Sequence, residues 1–212
     1  MTKAHDLYYN ALRDRDLLPV IAYGSAGTGK TYGAVERAIE WVEDPRKKCV
    51  ITRPNVSFAD KNGFLPGTER EKMEPWIRPI EQNFQELGVS KGQLTSWEGG
   101  KYPRLYYYPL EMIQGLTFHD SLVIVDECQN MSFEQLRVFL TRTGRYSKVV
   151  LCGDVAQTSP KFHNSGLAKL VKMVETLDMP CHTIHFTLDD CVRSGQCKTW
   201  LKGFEDWEKI DG

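Results

Sequence analysis

Long hydrophobic runs are missing from this 212-residue sequence. Nothing approaches the roughly 18 consecutive apolar residues of a membrane-spanning helix, so no membrane role is expected. An excess of one charge is missing as well. Lysine and arginine total 27 against 28 aspartate and glutamate, for a net charge of -1. Attraction to nucleic acid would therefore have to come from a local patch rather than from the whole molecule. The six cysteines, Cys49, Cys128, Cys152, Cys181, Cys191 and Cys197, contain no Cys-x-x-Cys pair. Cys181, His182, His185, Cys191 and Cys197 follow no zinc spacing, and His182 and His185 would point to opposite faces of a strand. Free cysteines beside strands read instead as small hydrophobes. The opening Met1-Thr2-Lys3-Ala4-His5-Asp6 lacks the apolar core of a signal peptide, which leads us to expect a cytoplasmic protein. Repeats and low-complexity segments are also absent. The length suits one domain over residues 1–212, large enough to bury a substantial core.

What is present is a full match to Gly-x-x-x-x-Gly-Lys-Thr at Gly24-Ser25-Ala26-Gly27-Thr28-Gly29-Lys30-Thr31. Its context is right: Val20-Ile21-Ala22-Tyr23 reads as a buried strand before it, and a helical pattern follows. Glycines let such a loop take positive φ angles and turn its amides inward, so that a polyphosphate sits at a helix N-terminus. Lys30 would reach the β and γ phosphates, and Thr31 would hold Mg²⁺ through its hydroxyl. A nucleoside triphosphate, ATP, with Mg²⁺ is the expected cofactor.

The rest of the chain alternates strands and helices. Val35, Ala38, Ile39 and Val42 keep helical spacing, Cys49 to Thr52 forms a second strand, and the order strand, helix, strand argues for parallel pairing. Residues 53 to 69 read as a long loop, of the kind that is functional or mobile. Thr68-x-x-Glu71 opens a helix that Pro75 and Pro79 are expected to kink or divide. Residues 89 to 103 read as loop or hairpin, and Leu105 to Tyr108 as a strand with at least one tyrosine in the core. Leu122 to Val125 and Val149 to Cys152 are uninterrupted apolar runs, as in strands covered on both faces. Ser132-x-x-Gln135 caps a helix. Leu167, Leu170, Val171 and Val174 mark another, Thr183 to Phe186 a last strand, and Trp200, Leu201, Phe204 and Trp207 a final helix. The whole reads as a three-layer α/β domain with a mainly parallel sheet.

In such a sheet the carboxyl ends of the strands share one crevice. Asp126 follows one buried strand and can hold a water of the Mg²⁺ ion, while Glu127 beside it can deprotonate an attacking water. Gly153-Asp154-x-x-Gln157 repeats the design at another strand. There Gln157 can sense the γ phosphate, and Asp154 can anchor the water network.

Taken in order, Gly24 to Thr31, Thr52-Arg53-Pro54, Gly63-Phe64-Leu65-Pro66-Gly67, Asp126-Glu127-Cys128-Gln129-Asn130, Phe139-Leu140-Thr141-Arg142, Gly153-Asp154-Val155-Ala156-Gln157 and Asp190-Cys191-Val192-Arg193 resemble the PhoH-like family of P-loop ATPases, over about residues 5 to 200. The resemblance implies a RecA-like core related to the first motor domain of superfamily-one helicases. It implies ATP hydrolysis, RNA as partner and a homo-oligomer, plausibly a hexamer. It further implies that the strand before Gly153 lies between those carrying Lys30 and Asp126. His5 stands where relatives carry a Gln that can read adenine, Gln114-Gly115-Leu116-Thr117 replaces an Arg-Gly-Arg-Thr, and Cys128 replaces a small Ala.

From these follow a catalytic set of Glu127, Lys30, Gln157 and Arg193, and a single-stranded RNA or DNA surface at Arg53 and Lys61. Arg46, Lys47 and Lys48 would add a basic rim, and Trp76 or Tyr106 a stacking face. Arg53, just past its strand, is expected to face nucleic acid rather than the ATP phosphates. Arg193 is expected to lie too far from its own Lys30, and so to act in trans on a neighbouring subunit, with Arg142 as second choice. The competing reading is an ATP-controlled assembly or stress-response switch without a nucleic-acid substrate. The near-neutral charge and the residues at Gln114 and Leu116 favour it. A small-molecule kinase finds no Arg-rich lid or second substrate motif.

Overall fold

The computed structural model describes residues 1–54, 69–113, 115–154 and 165–211. Lys61, Gln114 and Gln157 lie outside the described residues. Six strands carry the fold: β1 (Val20–Gly24), β2 (Lys48–Arg53), β3 (Leu105–Pro109), β4 (Ser121–Val125), β5 (Lys148–Gly153) and β6 (His182–Phe186). They form one sheet in the order β3-β2-β4-β5-β1-β6, and every pairing is parallel. The expected placement of β5 between the strands leading to Lys30 and Asp126 holds.

Period-two alternation sorts each strand's side chains onto two faces. Val20, Ala22, Cys49, Ile51, Leu122, Ile124, Val150 and Cys152 pack under α1 (Lys3–Arg13), α2 (Lys30–Val42), α3 (Glu69–Glu86) and α4 (Lys91–Glu98). Ile21, Val50, Val123, Val125, Val149 and Leu151 pack against α5 (Leu110–Ile113), α6 (Phe133–Leu140) and α7 (Gly166–Thr176). Because both faces are covered, the central strands read as continuous apolar runs. Tyr107 is the core tyrosine of β3, while Tyr106 and Tyr108 are half-buried on the opposite face with their rings stacked.

One expectation is corrected and another narrowed. The 89–103 stretch is not a hairpin but contains α4, which Ser90 starts: its hydroxyl accepts from the Gln93 amide, and Gln93 Oε1 accepts from the Ser90 amide. Leu94 and Trp97 anchor that helix in the core. Of the kink or division expected at Pro75 and Pro79, division does not occur, and α3 runs through both. Met73, Ile77, Ile80 and Phe84 lie along one buried face, and their packing outweighs the backbone bonds the prolines remove. The final helix, α8 (Gly195–Asp211), keeps its helical spacing, with Trp200, Phe204, Trp207 and Ile210 more than half exposed.

Candidate nucleotide site

The Gly24–Thr31 loop joins β1 to α2 at the carboxyl end of the sheet. Gly24 has φ +117, and a Cβ there would stand 1.9 Å from the Phe186 carbonyl oxygen, so only glycine fits this turn. The amide of Ser25 donates to that same carbonyl at 3.0 Å, tying the loop to β6. From below, α1 holds it: Tyr8 donates its hydroxyl to the Lys30 carbonyl at 2.7 Å, and His5 Nε2 lies 3.0 Å from the Thr28 carbonyl. The other His5 nitrogen is 2.8 Å from the Thr2 hydroxyl. With both ring nitrogens engaged within the protein, His5 serves here as a loop buttress.

Lys30 Nζ folds over the loop, donating to the carbonyls of Gly24 and Ser25 at 2.8 Å each and to Thr28 Oγ1 at 3.3 Å. Burial pushes its ammonium below the usual lysine range, and the Asp154 carboxylate is the strongest influence pulling it back. Thr31 Oγ1 donates to Asp126 Oδ1 at 2.7 Å, joining groups 95 residues apart in sequence. A hydroxyl and a carboxylate so placed are the hard oxygen donors that suit Mg²⁺. Asp126 is held above the usual carboxylate range by burial and then by the charge of Glu127. The Thr31 hydrogen bond and Arg53 oppose this.

Glu127 occupies a left-handed backbone position, φ +53, which turns its side chain out of the strand direction. Its Oε2 accepts from Gln129 Nε2 at 2.6 Å, and Gln129 Oε1 in turn accepts from the Asp154 amide at 3.0 Å. Gln129 is wholly buried, and its carbonyl accepts from the Ser165 hydroxyl. One side chain thus joins the ends of β4 and β5, and its backbone also holds Ser165, the residue that precedes α7. Neither Gln129 nor Tyr8 belongs to the site residues that the sequence motifs point to. A polar residue two places past Glu127 was a usable signal for the first, but nothing local marked the second.

Arg53 is placed differently from expectation. Val125 pairs with Thr52, and the Asp126 amide donates to the Thr52 carbonyl at 2.9 Å, so Arg53 emerges beside the acidic pair. Its guanidinium lies 3.7 Å from Asp126 and 3.5 Å from Glu127. Arg193 also departs from expectation. A Cβ on Gly27 would meet its Cδ at 2.9 Å and its Nε at 3.2 Å, and the Val192 amide donates to the Gly27 carbonyl at 3.0 Å. The side chain therefore lies across its own phosphate loop, held by the short turn Leu188–Asp190. That turn is bonded to α1 through Thr2 and Asp190. Arg142 stands in the turn after α6, with its carbonyl accepting from Phe118.

Comparison with known proteins follows the same lines. The family model described as PhoH-like protein matches residues 1–205. A PhoH-like protein of Bacillus subtilis is 38% identical over 174 residues, covering 81% of this chain and 53% of the relative. Protein PhoH of Escherichia coli is 33% identical over 201 residues, covering 93% and 55%. The chain thus spans about half the length of these relatives. Among solved structures, the large terminase of the thermophilic bacteriophage D6E in complex with ATP-gamma-S superposes with a TM-score of 0.59 at 18% identity, over 95% of this chain and 48% of that one. Its complex with ADP gives 0.56. At that identity the likeness is one of fold.

Proposed function

The chain belongs to the PhoH-like protein family, and on that premise we propose that residues 1–212 act as one Mg²⁺-dependent ATPase domain that couples ATP turnover to single-stranded RNA or DNA. The observation that carries the reading is the meeting of Lys30, Thr31, Asp126 and Glu127 at one end of the sheet, with Thr31 and Asp126 in direct contact. Lys30 exchanges its loop carbonyls for the β and γ phosphates, and the loop amides receive the remaining oxygens. Thr31 and Asp126 would hold Mg²⁺, which would supply charge neutralisation at the phosphates. Glu127 takes the proton of the attacking water. Gln157 senses the γ phosphate from the segment after Asp154, and Lys61 adds to the nucleic-acid surface that begins at Arg53.

Arg193 supplies the cation that stabilises the transition state, and its position on Gly27 supports delivery within its own chain. Assembly, as a hexamer in our proposal, uses α8, whose exposed aromatic stripe adjoins the loop through the Ser25–Glu205 hydrogen bond. A second copy is the occupant we assign to that stripe. Among the described residues no helix is long and apolar enough to cross a membrane, in keeping with a proposed cytoplasmic site of action. The deciding experiment measures ATPase rate with and without single-stranded RNA, alongside Glu127→Gln. We expect stimulation of the wild type, and a variant that binds ATP but leaves it unhydrolysed. ATP turnover indifferent to RNA, with assembly that tracks ATP, would favour the switch reading instead.

A further inference from the structure

The proposed base is engaged on both oxygens. Gln129 donates to Glu127 Oε2 at 2.6 Å, and Arg53 faces Oε1 at 3.5 Å. A carboxylate oxygen facing a guanidinium has less of its lone pairs to offer a water proton. The two contacts differ in kind. The Gln129 bond is short, and its donor is wholly buried and fixed by Asp154. The Arg53 contacts to Glu127 and Asp126, at 3.5 and 3.7 Å, are longer than the 2.7–2.9 Å typical of a charge-assisted hydrogen bond. Arg53 and Glu127 are both about one-third open to solvent, at 31% and 32% of their side chains, whereas Asp126 keeps 11%. Arg53 ends β2 at the carboxyl end of the sheet. An anion approaching the carboxyl end of the sheet can therefore draw Arg53 away, while Gln129 keeps Glu127 in place.

We propose that Arg53 is a clamp on Glu127, and that a nucleic-acid phosphodiester backbone activates hydrolysis by taking the guanidinium from the acidic pair. Arg53 is on this view a positioning residue that holds the base in check, and the same side chain reports that a strand is bound. The inference rests on the ATPase reading above and deepens it. Longer ion pairs at a partly exposed site are screened by solvent and weak enough for exchange.

The test compares wild type, Arg53→Ala, Arg53→Gln and Arg53→Lys. ATPase rate is read alone and with oligo(U) RNA, oligo(dT) DNA or heparin, with fluorescent ATP-analogue affinity and RNA anisotropy measured beside it. In the Ala and Gln variants we expect basal turnover to rise several-fold and RNA stimulation to vanish. Analogue affinity should stay unchanged, and the log–log salt slope of RNA binding should fall by about one. The Lys variant should keep a low basal rate and part of the stimulation. Response to both oligonucleotides, or to RNA alone, identifies which backbone is used. Basal turnover unchanged or lowered in both Ala and Gln variants overturns the clamp, as does derepression with stimulation intact. Heparin matching the oligonucleotides overturns the phosphodiester assignment. Failure of the underlying reading looks different: the wild type itself would then hydrolyse no ATP, or bind no nucleic acid.

Discussion

Two lysines are buried at opposite ends of the same sheet. Lys30, at the carboxyl end, has three acceptors around its ammonium and the carboxylates of Asp154, Glu127 and Asp126 nearby. Lys148, at the amino end of β5, is wholly buried, and its Nζ has no hydrogen-bond partner among the described residues. Burial pushes Lys148 down to about 8, with Asp14 the strongest influence pulling it back. The carboxylate of Asp14 is itself 2.6 Å from His182. Burial and a lowered pKa are thus shared by both, and neither marks a site. The difference lies in the acceptors. Lys30 holds bonds that a phosphate can replace one for one, whereas Lys148 Nζ holds none among the described residues.

The strongest way to break this contrast is Lys30→Ala. Removing a charged donor from the phosphates should cost on the order of 10²–10³ in affinity for an ATP analogue, measured by fluorescence titration. Retained affinity would mean that the loop amides suffice without the lysine. Gln129→Ala should come next. With the Glu127–Gln129–Asp154 chain cut, kcat should fall on the order of tenfold or more while analogue affinity stays within about twofold, since a misplaced base loses positioning rather than binding. A fall in affinity equal to the fall in kcat would instead assign Gln129 to structure.

Asp126→Asn sharpens the electrostatic side. Its raised pKa in the fold means that stability is lost as pH rises through that value, so an ionised Asp126 is a burden at neutral pH. Without Mg²⁺ the Asn variant should melt about 2–4 °C higher, the shift that about 1 kcal/mol produces in a chain of this size. Added Mg²⁺ and ATP should raise the melting point of the wild type only. A lower melting point would show that the ion pair with Arg53 outweighs burial.

The smallest functional effect belongs to Lys148→Met. ATPase rate and analogue affinity should match the wild type. A lysine whose folded pKa is depressed makes the wild type gain stability as pH rises from about 8 towards the ordinary lysine value, and lose it again on the way down. The Met variant should lack that component, so its stability advantage should shrink between about pH 8 and pH 10 in urea titrations. A loss of ATPase activity in this variant would erase the distinction between the two ends.

Local chemistry made much of this visible in advance. The phosphate loop needs its glycines and lysine at fixed offsets, and the buried strands announce themselves as apolar runs, so the β1–loop–α2 unit and the acidic pair after β4 were legible. The helix α4 was as legible as α6, because Ser90-x-x-Gln93 is the same cap as Ser132-x-x-Gln135. The continuity of α3 through Pro75 and Pro79 was not legible, since propensity argues against it and only burial of Ile77, Ile80 and Phe84 overrides it.

The sequence by itself determined which chemical groups exist and which short segments present them: a lysine and threonine after a glycine loop, two carboxylates after a buried strand, an arginine closing another. Tertiary structure alone decided how those segments meet. Parallel pairing of β2 with β4 sets Arg53 against Asp126 and Glu127, and the turn after β6 lays Arg193 over Gly27. The buried amide of Gln129 finds Asp154 only because β5 lies next to β4. Distances of a few ångströms between residues far apart in the chain depend on strand order and register, and no local pattern encodes these. Side-chain roles that depend on such distances therefore became readable only once the sheet was assembled.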